Sequence, residues 1–218
     1  MSQVTFNIAV SLDGYSAGPD QSLDDPLGTN SDLLHDWFVR TKSFREGHGG
    51  EGGETGVDND VASEHFQNIG VSIMGRHMYS SGSGPWEDDP KASGWWGDDP
   101  PFHHPVFVLT HHAREPLEME GGTTFHFVTD GIESALEQAR AAAGDKDVQI
   151  AGGGQTIQQY LAAGLVDRFT LHVSPFFLGG GVRLFDEHTA KIPQSLRLTR
   201  SIEGPSGVMH LNYEVADR

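Results

Sequence analysis

The 218-residue chain has no cysteine, and its 31 acidic against 14 basic residues give a formal net charge of −17 at pH 7. Disulfides, iron–sulfur clusters and cysteine-ligated zinc are thereby excluded, and such a surface repels phosphate backbones and anionic membranes. No apolar run approaches the ~20 residues that cross a bilayer, and MSQVTFNIAV lacks the basic start of a secretory signal. The chain therefore reads as a soluble, cytoplasmic protein with no nucleic-acid or membrane partner.

Val4, Phe6, Ile8 and Val10 alternate with smaller or polar residues, which predicts a first strand. SLDGYSAGPD (11–20) follows with turn chemistry at Asp13-Gly14 and Gly18-Pro19. A helix is expected over Leu33 to Arg45, capped by Asn30 or Ser31. The glycine-rich, acidic stretch GHGGEGGETGVDND (47–60) reads as a flexible insertion, disordered or a lid. Val61 to Asn68 reads as a short helix, VSIMG (71–75) as a buried strand, and GRHMY (75–79) as the start of another helix. Residues 80–104, rich in Gly, Pro, Asp and Trp, read as a long loop.

PVFVLT (105–110) is a continuous apolar run, as in a strand covered on both faces, and TTFHFVT (123–129) is another strand. Ile132 to Ala143 is an alanine-rich helix stopped by Gly144. A strand at VQIAGG (148–153), a helix over Gln155 to Ala163 and a strand at DRFTLHVSP (167–175) follow. Residues 195–203 and 207–215 pair as a hairpin around GPSG. Strands alternating with helices predict one α/β domain over 1–218. Its sheet is mostly parallel with helices on both faces, and the hairpin forms an antiparallel edge.

Two of the strand-to-helix turns carry glycine: IMGRHMY (73–79) and IAGGGQT (150–156). Helix N-termini present unpaired N–H groups and partial positive charge, and in open α/β sheets ligands sit at the strand ends where those N-termini lie. Such turns suit a pyrophosphate, with Arg76 adding the fixed charge that an acidic protein otherwise lacks. Gly152, Gly154 and Ile157 give G-x-G-x-x-I, which misses the ordinary dinucleotide fingerprint at its last position. Tight strand–helix packing is the competing reason for these glycines.

IMGRHMYSSG (73–82) and IAGGGQTIQQYL (150–161) resemble the two cofactor motifs of dihydrofolate reductase. SLDGYSAG (11–18), DWFVRTK (36–42), PVFVLT (105–110) and YLAAGLVDRFTLHVSPFFLGGGVRLF (160–185) make the chain most similar to one branch of that family. This is the stand-alone homologues of the C-terminal reductase domain of the riboflavin-biosynthesis bifunctional deaminase–reductase. The resemblance spans about residues 4–215. It implies a dihydrofolate-reductase-like three-layer α/β fold, a homodimer, and an NADPH-dependent reductase. Hydride would pass to a small heterocyclic, pteridine- or pyrimidine-like, or carbonyl substrate. The implied activity is like that of 5-amino-6-(5-phosphoribosylamino)uracil reductase or of dihydrofolate reductase. A non-catalytic nucleotide- or metabolite-binding protein on the same fold is the alternative.

Carried over by position, Ala9 and Ala17 would meet the nicotinamide through backbone groups. Gly75, Arg76, His77 and Met78 would meet phosphates, with Arg76 on the 2′-phosphate. Thr110 and His111 would lie along the adenosine. Gly152, Gly153, Gly154, Gln155 and Thr156 would hold the pyrophosphate, which lies against Gly153 and Gly154.

Two departures stand out. Dihydrofolate reductase has an acidic residue three positions before a Trp that matches Trp37, and here that position is Leu34. Met78 stands where the family has a hydroxyl residue.

Asp13, next to the expected nicotinamide, is the candidate catalytic and substrate-binding carboxylate, and turn formation is its competing role. Trp37 and Phe38 could wall the substrate pocket or simply fill core, and Gly180 in GGG (179–181) is expected near the substrate. Trp86, Trp95 and Trp96 are candidates for an aromatic lid, with loop packing or a subunit contact as competing roles. His103-His104 and His111-His112 place adjacent side chains on opposite faces, and Asp58-Asn59-Asp60 lacks the rest of a calcium loop. No metal site is expected.

Overall fold

The computed structural model describes residues 2–186 and 195–216. In chain order the elements are β1 (Val4–Ser11), β2 (Tyr15–Ala17), α1 (Asp32–Val39), α2 (Lys42–Gly47), α3 (Val57–Glu64), β3 (Ile69–Gly75) and α4 (Arg76–Ser80). There follow β4 (Pro105–Leu109), β5 (Leu117–Glu118), β6 (Thr124–Val128), α5 (Gly131–Ala143), β7 (Asp147–Gly152) and α6 (Gly154–Ala162). The chain ends with β8 (Arg168–Ser174), β9 (Val182–Arg183), β10 (Leu196–Glu203) and β11 (Met209–Val215).

The main sheet runs β10-β11-β8-β1-β7-β3-β4-β6-β5. Its centre is parallel, from β8 through β6, while β11, β10 and β5 are antiparallel. β2 and β9 form a separate antiparallel pair.

Alternation along each strand divides the sheet into two faces. One face carries Val4 and Phe6 of β1, Val71 and Ile73 of β3, Phe169 and Leu171 of β8, and it is covered by α5 and α6. Those helices supply Ala135, Leu136 and Ala139, and Ile157, Tyr160 and Leu161. The opposite face is split. On one side Met74, Val106, Val108 and Phe125 pack with Tyr79 of α4 and with the long loop. On the other, Trp37 of α1 packs with Val61 and Ala62 of α3 and with Val208. The face between them is polar, which leaves room for a site.

Two expectations shift. The helix foreseen over 33–45 is two helices, because Thr41 leaves helical geometry, accepts from Phe44 N–H through its side chain, and caps α2. The stretch 47–60 is tied down. Glu54 N–H donates to Arg40, Lys42 N–H donates to Glu54, and α3 begins at Val57, four residues before the expected helix start.

Candidate active site

A cavity of about 720 Å³ opens at the carboxyl ends of the parallel strands. That volume is in the usual range for a small-molecule site, about 300–1,000 Å³. One arm passes the two glycine turns: Gly75, Arg76, His77 and Met78 after β3, and Gly152, Gly153, Gly154, Gln155 and Thr156 after β7. It continues past Thr110 and His111 to Thr129 and Gly131, where α5 begins. The other arm runs between Ala9, Ala17, Trp37, Phe38 and three histidines, His35, His65 and His172.

The three consecutive glycines have three different reasons. Gly152 has φ +132°, which L side chains rarely adopt. A Cβ on Gly154 would lie 2.6 Å from Ser16 Oγ, so that glycine lets α6 approach β2. A Cβ on Gly153 would meet nothing within 4 Å. Gly153 alone leaves its side-chain position open to the cavity. Gly75 is likewise a packing glycine, since its Cβ would meet Thr156 Oγ1 at 2.5 Å.

Arg76 lines the cavity without being a free cation. Its guanidinium pairs with Asp89, donates from Nε to Ser80 Oγ at 3.1 Å, and stacks 3.3 Å above the Trp86 ring. Nη1 is buried without a hydrogen-bond partner. Of the tryptophans in the long loop, Trp95 faces the cavity and donates to the Met78 carbonyl at 3.0 Å. Trp86 supports Arg76, and Trp96 packs on Phe102.

The family model of the RibD C-terminal domain matches residues 2–209. The chain belongs to the RibD C-terminal domain family. A Bacillus subtilis (strain 168) relative, the uncharacterized protein YyaP, is 26% identical over 192 residues, 83% of this chain and 93% of that protein. Among solved structures, a Shewanella sp. PV-4 protein assigned to riboflavin biosynthesis superposes with a TM-score of 0.63 at 23% identity, covering 99% of both chains. Dihydrofolate reductase from Enterococcus faecalis, complexed with NADP(H), superposes with a TM-score of 0.53 at 12% identity, covering 99% of this chain and 97% of that one. These likenesses establish a dihydrofolate-reductase-like α/β fold, as the sequence motifs implied.

Two expected site residues of this RibD-type domain do not line the cavity. Asp13 turns away into its own loop. It accepts from Ser11 Oγ at 2.6 Å, Leu178 N–H at 3.0 Å and Gly179 N–H at 2.8 Å. The Ser11 hydroxyl and those amides hold its pKa down at about 2, so it is a poor proton donor and acts as a turn clasp. Gly180 sits in the segment that Asp13 holds and is likewise absent from the cavity wall. Leu34 is fully buried core.

The sequence reading missed the polar cluster behind this second arm. His172 of β8 and His210 of β11 face each other in register, Nδ1 to Nδ1 at 2.8 Å. His210 Nε2 lies 3.2 Å from Asp58 Oδ1. Trp37 covers both rings, with centroids 4.6 and 4.7 Å away. Burial, with His65, His210 and His35 nearby, pushes the His172 pKa well below the usual histidine value. The Trp37 Nε1 and His172 Nε2 atoms are buried without partners. In the sequence both histidines occupy the polar phase of alternating strands, FTLHV and MHLNYEV. That phase was the available signal; their pairing was not, because β8 and β11 are far apart in the chain.

Proposed function

We propose that this protein is an NADPH-dependent reductase that transfers a hydride to a small heterocyclic, pteridine- or pyrimidine-like, or carbonyl substrate. The observation that carries the reading is the continuity of the cavity. It joins the open backbone at Gly153 to the pocket around Ala9, Trp37 and His172. A bound nicotinamide would supply the hydride there, which is the cofactor's chemistry.

The chain's own residues would hold the cofactor. Backbone N–H groups at Gly153, Gly154 and Gln155 face its pyrophosphate at the start of α6, a favourable place for an anion. Gly75, His77 and Met78 would meet phosphate from the second turn, and Thr156 would brace the α6 turn against Gly75. Arg76 Nη1 would reach the 2′-phosphate, with Thr110 and His111 along the adenosine. Ala9 and Ala17 would border the nicotinamide through their backbone, and Trp37 and Phe38 would wall the substrate. The same reading includes a homodimer in the cytoplasm, tested by light scattering on purified protein.

Gly153→Val gives the direct test. The added side chain enters open cavity, so the fold should persist while the cofactor is blocked. Trp37 and Trp95 line the cavity and report binding by fluorescence. Wild type should bind NADPH more tightly than NADH, and Gly153→Val should lose both. Equal NADPH binding by wild type and variant would remove the pyrophosphate site, and with it this reading. The non-catalytic alternative draws on buried Leu34, which leaves α1 without the carboxylate of dihydrofolate reductase. Tight NADPH binding without turnover of any acceptor would favour it.

A further inference from the structure

The second arm of the cavity is lined by His172, whose Nε2 is buried without a hydrogen-bonding partner and has a chain of two further groups behind it. His172 is 4% exposed and lines the cavity, yet its Nε2 has no hydrogen-bond partner. Burying such a group unpaired is costly unless something else meets it.

The hydrogen positions along the chain are determined by its far end. The Asp58 carboxylate accepts, so the His210 hydrogen sits on Nε2 and the His210 Nδ1 offers a lone pair. His172 must then carry its hydrogen on Nδ1 to make the 2.8 Å contact. Its Nε2 is left as a bare lone pair. If a proton enters at His172 Nε2 from the cavity, each assignment reverses. Asp58 donates to His210 Nε2, His210 donates from Nδ1 to His172, and His172 presents an N–H at Nε2. The sum over both states moves one proton from Asp58 to the cavity without leaving a charge on either ring.

The room for Asp58 is built in. A Cβ on Gly204 would lie 1.8 Å from Asp58 Oδ1 and 3.1 Å from His210 Nε2. Gly204 does not have a positive φ, so space rather than conformation requires glycine there. The cluster is not an ion site: 2.8 Å between the Nδ1 atoms is a hydrogen-bond distance, and among the described residues no three metal-ligating side chains converge.

We propose that Asp58, His210 and His172 form a proton relay that ends at His172 Nε2 and supplies the proton taken up by the reduced substrate. This rests on the reductase reading above. Hydride adds to the carbon of a C=N or C=O group, and the π electron pair moves to nitrogen or oxygen. That atom takes the hydrogen from His172 Nε2. His172 Nδ1 recovers one from His210 Nδ1, and His210 Nε2 recovers one from Asp58. The carboxylate that remains is recharged by the reverse shift, when cavity water protonates His172 Nε2 after product leaves. His172 is the catalytic residue; His210 and Asp58 act through it as positioning and supply groups. Burial keeps the imidazole of His172 neutral, so it can donate from Nε2 only if its other nitrogen is refilled from behind.

The test uses the full chain, wild type against Asp58→Asn and His172→Gln. NADPH binding is read by tryptophan fluorescence and NADPH oxidation by absorbance, with 5-amino-6-(5-phosphoribosylamino)uracil and dihydrofolate as acceptors. Both variants should bind NADPH like wild type and turn over about 100-fold more slowly or worse, the usual scale of general acid catalysis. The pH profile of wild-type turnover should change in Asp58→Asn, because the proton-loaded relay, neutral throughout, can no longer form. The other titratable groups facing these rings are His35 and His65 near His172, and Arg200 and Glu64 near His210. All four are unchanged in these variants. Turnover close to wild type with an unaltered pH profile would overturn the relay.

Nitrogen-15 NMR of the histidines gives a second readout that needs no turnover. The His172 and His210 tautomers should reverse together as pH falls in wild type and stay fixed in Asp58→Asn. If wild type neither binds nor oxidises NADPH, the reductase reading fails. The NMR result then decides alone whether the wire exists, and independent or absent tautomer changes would end it.

Discussion

Gly204→Ala is the sharpest probe of the Asp58–His210 contact. The new methyl would stand 1.8 Å from Asp58 Oδ1, so the carboxylate must swing away. His210 is fully buried, and its Nε2–H then has no acceptor in reach. An orphaned buried donor costs about 1–3 kcal/mol. In a domain of this size each kcal/mol moves the melting temperature by about 2–4 °C, so a loss of about 2–12 °C is expected. Thermal unfolding followed by circular dichroism measures it. Gly180→Ala is the matched control, because no atom lies within 4 Å of its Cβ and its φ is not positive. The control should unfold with wild type. Turnover in Gly204→Ala should fall alongside that of Asp58→Asn. A Gly204→Ala protein that melts with the control and keeps its rate would show that the carboxylate is not held where the relay requires it.

Three further outcomes are expected. Asp89→Ala leaves the buried guanidinium of Arg76 without its counter-ion, which typically costs about 3–5 kcal/mol, read as a shift in urea midpoint; a shift within error would mean that solvent reaches Arg76. Burial holds His65 and His104 down at about 4, against 6.5 in the unfolded chain. The unfolded state therefore binds more protons, and stability that is complete above about pH 6.5 should be lost progressively toward pH 4. The fall in urea midpoint between pH 7 and pH 5 should be smaller in His104→Gln, whose amide can still hydrogen-bond the Ser72 hydroxyl; an identical fall would assign the acid sensitivity elsewhere. Asp13→Asn should leave NADPH-linked turnover unchanged while exposing the 178–181 loop to limited proteolysis, and a large loss of turnover would return Asp13 to the reacting centre.

How much of this was legible in the sequence depended on whether the cause was local. The alternation in β1 and the short apolar runs of β3 and β4 are local properties, and each strand appears where its pattern placed it. The glycine turns were also visible, and both reach the cavity. What three glycines in a row could not reveal was their division of labour. Gly154 is explained by Ser16, 138 positions away, and only the folded chain shows it. The placement of Asp13 was hidden for a similar reason. Its partners, the amides of Leu178 and Gly179, come from a distant loop.

The substitution at Leu34 looked in sequence like a loss of function, and the fold gives it a different meaning. In this chain α1 contributes Leu34 to the core and Trp37 as a cover over two histidines. The hydrogen-bonded histidine pair beside the cavity's second arm comes from the sheet beneath the helix. His172 comes from the strand beside β1, directly across from Ala9, and His210 from the next strand out. A helix carboxylate meets a substrate with one fixed charge. Two hydrogen-bonded imidazoles backed by Asp58 can offer either a lone pair or an N–H at one point while staying neutral. Such a device suits an acidic protein, because an anionic substrate or cofactor already competes with a charge of −17, and a further buried carboxylate facing it would add repulsion at the reacting end.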